Sequence, residues 1–275
     1  MSLILLFAEE LLIRYTNLIL VSNYKKEGFF MNKKLLFVFA HPDDESFGCG
    51  GTIPKYHHAG ASISLVSATS GCKGKPGPFQ LTTREEKAKH REGELQRACG
   101  ILGVDKLILY RYLDGEVNQV GKKELTDRIA ATILEEAPDV IVTFPPDGIS
   151  GHPDHIAISF AVQRAVQQAE QDMSPDLYPD LYFIALPPQV AFRRQGVNLP
   201  SCKVEMGDYR ETKARALQAH QSQVFSVNRT FPGVMEGKLD VLLPMEYYTL
   251  VRRSGQPVET PQAADERDIP AIDFI

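Results

Sequence analysis

Two short stretches of this sequence place imidazole and carboxylate side chains directly after apolar runs. In the first, the run over residues 35–40 stops abruptly at His-Pro-Asp-Asp-Glu, residues 41–45. In the second, the run over residues 140–144 is followed by Gly-His-Pro-Asp-His, residues 151–155. Apolar runs of this length, bounded by polar turns, are typical of buried parallel strands. Because ligands bind beyond the carboxyl ends of such strands, we expect the two turns to share one site.

The side chains of these turns favour a metal site. Zinc and similar ions take mixed nitrogen and oxygen ligands, and His41 offers a neutral imidazole nitrogen. Asp43 and Asp44 point in different directions from an extended turn, so one carboxylate can bind the ion while the other acts as general base for its water. His155 can supply a third ligand. A His-Asp-His set with open positions is typical of catalytic zinc, which lowers the pKa of bound water and polarises a carbonyl.

His152, three residues before His155, can lie on the far side of a substrate carbonyl. As an imidazolium it would stabilise a developing oxyanion, and Asp154 or another carboxylate would hold its tautomer and charge. The alternative interpretation of both turns is helix capping, since Asp at a helix start and Pro in the first turn are common. A cap needs no His, however, and clustered unpaired carboxylates are unfavourable. Two such turns therefore favour the metal site over capping.

From Met31 onward, the chain repeatedly alternates strand-like and helix-like segments. Such alternation implies right-handed crossovers and an α/β fold, in which helices cover both faces of a mostly parallel sheet. The predicted strands are 35–40, 62–68, 106–110, 140–144 and 181–186. The predicted helices are 48–60, 84–102, 122–137, 153–168 and 209–221.

We expect a single domain over residues 31–251, flanked by an extension at each end. Residues 1–30 are rich in Leu and Ile, and Met31 stands directly before the first strand, where an initiating methionine would be expected. This N-terminal extension is either an accessory helix or the product of a misassigned translation start. Residues 252–275 form a polar, proline-bearing tail that we expect to be mobile, although its last residues are apolar and can dock.

Composition argues against several partners and locations. The chain is 43% hydrophobic and 24% charged, with a net charge of −5 and no strong basic run, so nucleic acid is a poor partner. Charges interrupt the apolar stretch 3–21, which argues against stable membrane insertion, and no cleavage site marks a signal peptide. The four cysteines form no C-x-x-C pair and are expected to be reduced thiols in a cytoplasmic protein. The sequence leaves a homo-oligomer open.

Three stretches of the sequence carry a resemblance to a known family: Ala-His-Pro-Asp-Asp-Glu at 40–45, Gly-Gly-Thr at 50–52 and Gly-His-Pro-Asp-His at 151–155. They resemble the motifs of the LmbE-like, or PIG-L, family of metal-dependent N-deacetylases. The resemblance covers about Lys33 to Gln223. The two His motifs are highly specific, and the remaining similarities support them. These are Thr69-Ser70-Gly71, Arg91-Glu92-x-Glu94-Leu95 with the later Leu102-Gly103, Leu113-Asp114-Gly115, and Lys213, Leu217 and His220-x-Ser222-Gln223.

The resemblance implies a Rossmann-like fold and one Zn2+ ion, for which Fe2+ can exchange in the cell. It also implies hydrolysis of an acetamide, usually on N-acetylglucosamine (GlcNAc) in a larger conjugate. The metal ligands implied for this chain are His41, Asp44 and His155. Asp43 would be the base that activates the water and then protonates the leaving amine. His152 would stabilise the oxyanion, with Asp154 as its partner, and Arg91 would lie near the sugar or order the site.

The expected function is that of a zinc-dependent hydrolase that removes an N-acetyl group from a GlcNAc-containing small molecule through a metal-activated water. A GlcNAc-malate type thiol precursor is one such N-acetylated sugar conjugate, whose malate the loop lysines Lys73 and Lys75 can meet. Two alternatives stay open: a thiol-conjugate amidase of the same family, and a non-catalytic metal-bearing sugar-binding module. A nucleotide-binding Rossmann protein is disfavoured because the G-x-G-x-x-G turn is missing after the first strand.

Overall fold

The computed structural model describes residues 33–191, 199–259, 267, 269–272 and 274. The N-terminal extension expected over residues 1–30 lies outside these ranges, as does a part of the expected C-terminal tail.

One mixed sheet of eight strands forms the centre of the described chain. In chain order the strands are β1 (Lys34–Phe39), β2 (Ser62–Thr69), β3 (Lys106–Tyr112), β4 (Val140–Thr143), β5 (Asp180–Ala185), β6 (Cys202–Glu205), β7 (Met245–Arg253) and β8 (Gln256–Pro257). The order across the sheet is β3-β2-β1-β4-β5-β7-β6, and β8 pairs with β7. The first five strands run parallel, whereas β7 is antiparallel to β5, β6 and β8. The predicted α/β fold with a mostly parallel sheet is confirmed.

Helices flank this sheet in two packed groups. In the described residues they are α1 (Asp44–Cys49), α2 (Thr52–His58), α3 (Arg84–Leu102), α4 (Lys122–Glu136), α5 (Gly148–Gly151), α6 (Pro153–Ala169), α7 (Pro188–Ala191), α8 (Tyr209–Ala219) and α9 (Val224–Thr230). Helix α4 packs against α6, and α3 packs against α8. Right-handed crossovers place these pairs on opposite faces, since the strand order reverses between them. No helix in the described ranges has the length and apolarity needed to cross a membrane.

Strand β1 lies at the point where the strand order reverses. It pairs with β2 on one side and with β4 on the other, and its residues from Leu35 to Phe39 are buried. A run of Leu, Val and Phe suits a strand that is covered on both faces. Open α/β sheets bind ligands in the crevice beyond the carboxyl ends of strands at such a reversal. The two His-bearing turns follow β1 and β4, the strands between which the order reverses.

The structure differs from the predicted elements in the first predicted helix, in the C-terminal strands and in the short helices α5, α7 and α9. The predicted helix 48–60 is instead the two short helices α1 and α2, which are separated by Gly50 and Gly51. A side chain on Gly51 would overlap Met206, so the chain approaches its neighbour closely at this break. The periodicity of the sequence also does not predict β6 and β7, because their antiparallel pairing depends on partners distant in sequence, nor the two-residue strand β8, which pairs locally with β7.

The C-terminal end of the described chain is packed into the main core. Phe274 is 2% exposed, and its ring centroid lies 5.2, 4.7 and 4.8 Å from those of Tyr56, Tyr182 and Tyr248. Its backbone N–H donates a hydrogen bond to the Tyr56 hydroxyl at 2.6 Å. Residue 274 of the expected tail therefore contributes to the same core as the central strands.

Removal of the Phe274 ring is expected to destabilise the protein. Phe274→Ala would leave a cavity among three tyrosines, and such truncations cost about 3–5 kcal/mol. Urea unfolding of the full chain would show a lower midpoint at unchanged slope. Leu177→Ala is the control, because Leu177 is exposed and its truncation should change stability by no more than about 0.5 kcal/mol. Equal midpoints for wild type and Phe274→Ala would contradict the role of this ring in the core.

Candidate active site

Three side chains from the two His-bearing turns, His41, Asp44 and His155, converge beyond the ends of β1 and β4. Nδ1 of His41 lies 3.0 Å from Nε2 of His155 and 3.6 Å from Oδ2 of Asp44. Nε2 of His155 lies 3.4 Å from Oδ1 of Asp44. Ligands held about 2.0–2.2 Å from a tetrahedral zinc ion lie roughly 3.3–3.6 Å from one another. The two imidazole nitrogens are therefore close enough to share one metal ion, and each faces a different oxygen of the Asp44 carboxylate.

The opposite ring nitrogens of both histidines are held by acceptors. Nε2 of His41 lies 3.2 Å from Oδ1 of Asp114 and 3.2 Å from Oδ2 of Asp154. Nδ1 of His155 lies 3.1 Å from the carbonyl oxygen of Gly148. Metal-binding imidazoles usually donate their second N–H to such a carboxylate or carbonyl, which fixes the tautomer. In that tautomer, both rings turn a lone pair toward the same space.

Asp114 belongs to this site, although the sequence indicated it only as part of the Leu113-Asp114-Gly115 similarity, without a role in the chemistry. Its Oδ2 accepts a hydrogen bond from the backbone N–H of Lys73 at 2.5 Å, and its Oδ1 faces His41. Burial opposes its ionisation, but the hydrogen bond and charge of His41 lower the pKa of Asp114 to about 2. The signal that could have indicated Asp114 is its position just after β3, a further strand end at the same edge of the sheet.

Asp154 contacts a different histidine from the one expected. Its Oδ2 lies beside Nε2 of His41 and accepts the backbone N–H of Gly115 at 2.6 Å, while its Oδ1 accepts that of Val117 at 3.1 Å. Its contact with His152 is made by the backbone, because the Asp154 N–H donates to Nδ1 of His152 at 3.2 Å. The carboxylate therefore orients His41 instead of His152, since the first turn of α6 directs it into the protein.

His152 caps helix α6 and keeps one ring nitrogen for chemistry. Because its Nδ1 accepts the backbone N–H of Asp154, the hydrogen of the neutral ring lies on Nε2. Its ring centroid lies 4.7 Å from that of His41 and 4.9 Å from that of His155. Burial, followed by the charges of His41 and His155, lowers the pKa of His152. This environment favours a neutral N–H donor over the expected imidazolium.

Two other groups of donors overlap the first one. His41, His152 and His155 have ligand atoms within 4.8 Å of one another, as do His41, Asp114 and Asp154. The carboxylates of the second group accept backbone N–H groups, and Oδ2 of Asp44 likewise accepts that of His41 at 2.7 Å. The group of three histidines contains His152 where the expected ligand set contains Asp44. The two sets therefore predict different effects on metal binding when Asp44 or His152 is substituted.

Asp43 occupies a strained backbone position directly before α1. Its φ of 113° lies in a region that residues other than glycine adopt at a cost of about 1–3 kcal/mol. Although Asp43 stands at the N-cap position, its side chain makes no capping hydrogen bond. One carboxylate oxygen instead lies 3.1 Å from Nη2 of Arg91. Helix capping therefore does not account for the carboxylate of Asp43.

The surroundings of the two neighbouring aspartates separate their pKa values. Burial raises the pKa of Asp43 to about 7, although the guanidinium of Arg91 opposes the shift. Burial acts on Asp44 as well, but the imidazoles of His155 and His41 outweigh it and hold the pKa of Asp44 well below its usual range. The two neighbouring carboxylates therefore favour different protonation states near neutral pH.

Arg91 is buried, and its guanidinium orders the turn that carries Asp43. Nη1 donates to the carbonyl oxygen of Gly71 at 2.9 Å, and Nη2 donates to the carbonyl oxygen of Pro42 as well as to Asp43. Gly71 has a φ of 67°, and a side chain there would overlap the guanidinium. Of the two expectations for Arg91, contact with a sugar and ordering of the site, its burial favours the second.

A strained loop before α6 positions His155. Gly148 and Ile149 have φ values of 66° and 64°, and a Cβ on Gly148 would lie 2.9 Å from the Cβ of His155. The ring of Phe144, at the end of β4, stacks on that of His155 at 4.0 Å with an interplanar angle of 8°. Together with the Gly148 carbonyl, this stacking fixes the direction of the imidazole.

The two loop lysines differ in their surroundings. Nζ of Lys73 lies 3.5 Å from a carboxylate oxygen of Glu116 and 3.4 Å from the Gly115 carbonyl oxygen. Lys75 is exposed, and its carbonyl oxygen accepts a hydrogen bond from Gln223 at 3.1 Å. Both lysines are exposed, and the amine of Lys73 has these partners at the surface.

Sequence comparison finds deacetylases of GlcNAc conjugates. A family model described as PIG-L, GlcNAc-PI de-N-acetylase, matches residues 36–166. A 1D-myo-inositol 2-acetamido-2-deoxy-alpha-D-glucopyranoside deacetylase of Streptomyces avermitilis is 32% identical over 282 residues, covering 83% of this chain and 96% of that relative. A deacetylase of the same name from Kineococcus radiotolerans is 36% identical over 159 residues, covering 48% of this chain and 44% of the relative. A probable N-acetyl-alpha-D-glucosaminyl L-malate deacetylase 2 of Bacillus anthracis is 34% identical, covering 70% and 81%.

Solved structures of similar fold include proteins with different reactions. The conserved protein TT1542 from Thermus thermophilus has a TM-score of 0.60 and 25% identity, covering 82% of this chain and 95% of its own. N,N'-diacetylchitobiose deacetylase from Pyrococcus horikoshii has a TM-score of 0.60 at 23% identity, covering 81% and 84%. The 4-carboxy-2-hydroxymuconate hydratase GalB from Pseudomonas putida KT2440 has a TM-score of 0.62 at 19% identity, covering 84% and 100%. The last two likenesses show the fold alone.

Three observations indicate the same family: the paired His motifs, the sheet topology, and a relative that is 32% identical over almost its whole length. The chain belongs to the PIG-L family of N-deacetylases, which are hydrolases.

Proposed function

We propose that this protein is a metal-dependent hydrolase that removes the N-acetyl group from GlcNAc joined to a small aglycone. The observation that carries the proposal is the convergence of His41, Asp44 and His155: Nδ1 of His41 and Nε2 of His155 lie 3.0 Å apart, and each faces one oxygen of the Asp44 carboxylate, at 3.6 and 3.4 Å. Beside them stands the carboxylate of Asp43, which caps no helix. The GlcNAc-conjugate deacetylases among the relatives support the substrate class.

We assign His41, Asp44 and His155 as the protein ligands of one divalent ion, Zn2+ or Fe2+. When bound, such an ion lowers the pKa of water and polarises the acetamide carbonyl. Asp114 and Asp154 would keep Nε2 of His41 protonated and its Nδ1 free to bind.

The residues around this set have the chemistry that amide hydrolysis needs. Asp43 takes a proton from the attacking water, whose oxygen bonds to the acetamide carbon, and later gives a proton to the nitrogen as the C–N bond breaks. His152 donates its Nε2–H to the oxyanion formed in between. The products are acetate and the free amine of the sugar. Arg91, on the other side of the turn, holds the Asp43 carboxylate at 3.1 Å.

The proposal extends to the chemical class of the aglycone, the group to which GlcNAc is joined. We infer an acidic group of the malate type, because the exposed Lys75 lies on a loop anchored to Asp114 of the site through Lys73. The engagement of Lys73 with Glu116 leaves Lys75 as the loop lysine suited to meeting a carboxylate. An inositol aglycone is the alternative, which the Streptomyces avermitilis relative favours.

An assay of the full-length protein loaded with one equivalent of Zn2+ or Fe2+ tests the substrate class. We expect acetate release from GlcNAc-malate and GlcNAc-inositol, faster than from free GlcNAc. The panel also contains a thiol conjugate that would yield a mercapturate and the substrate of the hydratase. Release of the mercapturate alone would support the amidase, water addition alone would support a hydratase, and saturable binding of GlcNAc conjugates without turnover would support the binding module.

Asp43→Asn is expected to lower kcat for acetate release by about 10²–10⁴-fold, because an amide cannot accept the proton of water. Metal content should stay at the wild-type value, since Asp43 is not assigned as a ligand. Asp208→Asn is the matched control, because Asp208 is exposed at the start of another helix and makes no capping hydrogen bond. A kcat within tenfold of wild type would contradict the base assignment.

Metal analysis after equilibrium dialysis distinguishes the overlapping donor groups. Asp44→Ala should weaken metal binding by at least about 100-fold, as loss of even an indirect partner costs 10–100-fold. His152→Ala should keep its metal and lose kcat, because we assign His152 to the oxyanion. Loss of metal from His152→Ala with retention by Asp44→Ala would identify the three-histidine group as the ligand set instead.

A further inference from the structure

We infer that Glu45 and His220 form a buried pair that positions the base Asp43. The catalytic consequence of this inference rests on the proposed function, whereas its structural basis does not. Glu45 is 1% exposed and His220 is 0% exposed, so neither side chain is open to solvent. We assign both as positioning residues.

Glu45 holds the backbone of Asp43 in its strained conformation. Oε2 of Glu45 accepts the backbone N–H of Asp43 at 3.0 Å. This bond links residues only two positions apart and so closes a tight turn. A negative φ at Asp43 would open that turn and break the bond. The carbonyl oxygen of Asp43 is held as well, because it accepts the N–H groups of Ser46 and Phe47 at 2.9 and 3.0 Å. The carboxylate of Glu45 is thus the side-chain part of the brace that keeps φ at 113°.

His220 in turn holds the carboxylate of Glu45. Its Nε2 lies 2.8 Å from Oε1 of Glu45, and the hydroxyl of Ser46 donates to the same oxygen at 2.6 Å. Among the residues that the structure describes, Nδ1 of His220 is buried with no hydrogen-bond partner. The contact with Glu45 is therefore the polar interaction that accounts for a buried imidazole at this position. Removing His220 would leave the buried carboxylate with the N–H of Asp43 and the hydroxyl of Ser46 as donors but without its imidazole partner, which favours movement or protonation of Glu45.

The segment that carries His220 is fixed to the helix that carries Arg91. The backbone N–H and the hydroxyl of Ser222 donate to the two oxygens of Glu94 at 2.8 and 2.5 Å. Glu94 lies three residues after Arg91 on α3, so both side chains lie on one face of the helix. Asp43 is consequently held from two sides: Arg91 binds its carboxylate, and His220 supports its backbone through Glu45.

Variants of the pair test this inference, with His220→Leu and Glu45→Ala as the disruptive changes. We expect kcat for acetate release to fall about 10–100-fold, as a misplacement of roughly 1 Å can cost 10²-fold. KM and bound metal should stay at wild-type values, because neither residue is assigned to contact the sugar or the ion. His220→Gln, which can place an N–H donor near the position of Nε2, should recover kcat to within about threefold of wild type. The double variant should lose no more than the worse single variant, because both residues act through one contact.

Glu246→Ala is the matched control. Glu246 is also a buried glutamate that accepts backbone N–H groups, those of Gly51 and Thr52 at 3.1 and 2.8 Å, but it does not touch Asp43. It should lower thermal stability as Glu45→Ala does and leave kcat below the melting transition unchanged. An equal loss of kcat in Glu246→Ala would show that the effect is general destabilisation and would overturn the inference.

A crystal structure of His220→Leu, or of Glu45→Ala if His220→Leu does not fold, gives a readout independent of activity. We expect φ of Asp43 to leave the positive region. A retained φ near 113° together with unchanged kcat would overturn the inference. If metal-loaded wild type releases no acetate from any GlcNAc conjugate, the proposed function fails, while the conformation of Asp43 in the variant still decides whether this pair positions it.

Discussion

The site depends on the register between β1 and β4. Leu35, Leu36 and Phe37 pair in parallel with Val140, Ile141 and Val142, so both strands end at the same edge of the sheet. Two turns separated by more than a hundred residues therefore meet, and a nitrogen of His41 comes within 3.0 Å of one of His155. A shift of either strand by one residue would reverse the direction of its side chains and separate the donor atoms.

Convergence of the two turns concentrates negative charge, and the remaining polar contacts of the site compensate it. The buried or half-buried carboxylates there are Asp43, Asp44, Glu45, Asp114 and Asp154. Such groups are costly inside a protein unless donors or opposite charges surround them. Arg91, His220 and several backbone N–H groups supply these partners. The burial of Arg91 is thus explained by charge compensation and by the order it imposes on the turn.

The fold alone does not decide the reaction. A hydratase and a deacetylase share this architecture with the chain at TM-scores of 0.62 and 0.60. The reaction depends on a few side chains at the strand ends, which is usual for open α/β sheets. Here the distinction between Asp43 and Asp44, one held by a cation and the other by two imidazoles, is the feature that favours hydrolysis through an activated water.

Residue types and their order determined much of this protein. The two His motifs, the apolar runs before them and the strand–helix alternation are local, so they predicted the α/β fold and the two turns that meet at the site, but not Asp114. Only the tertiary structure decided which atoms meet. Asp154 turns to His41 and not to His152 because of the first turn of α6, and Arg91 is buried because Gly71 and Pro42 offer it carbonyl oxygens. The antiparallel strands and the support of Asp43 by His220 likewise bring together residues distant in sequence, for which no local pattern exists.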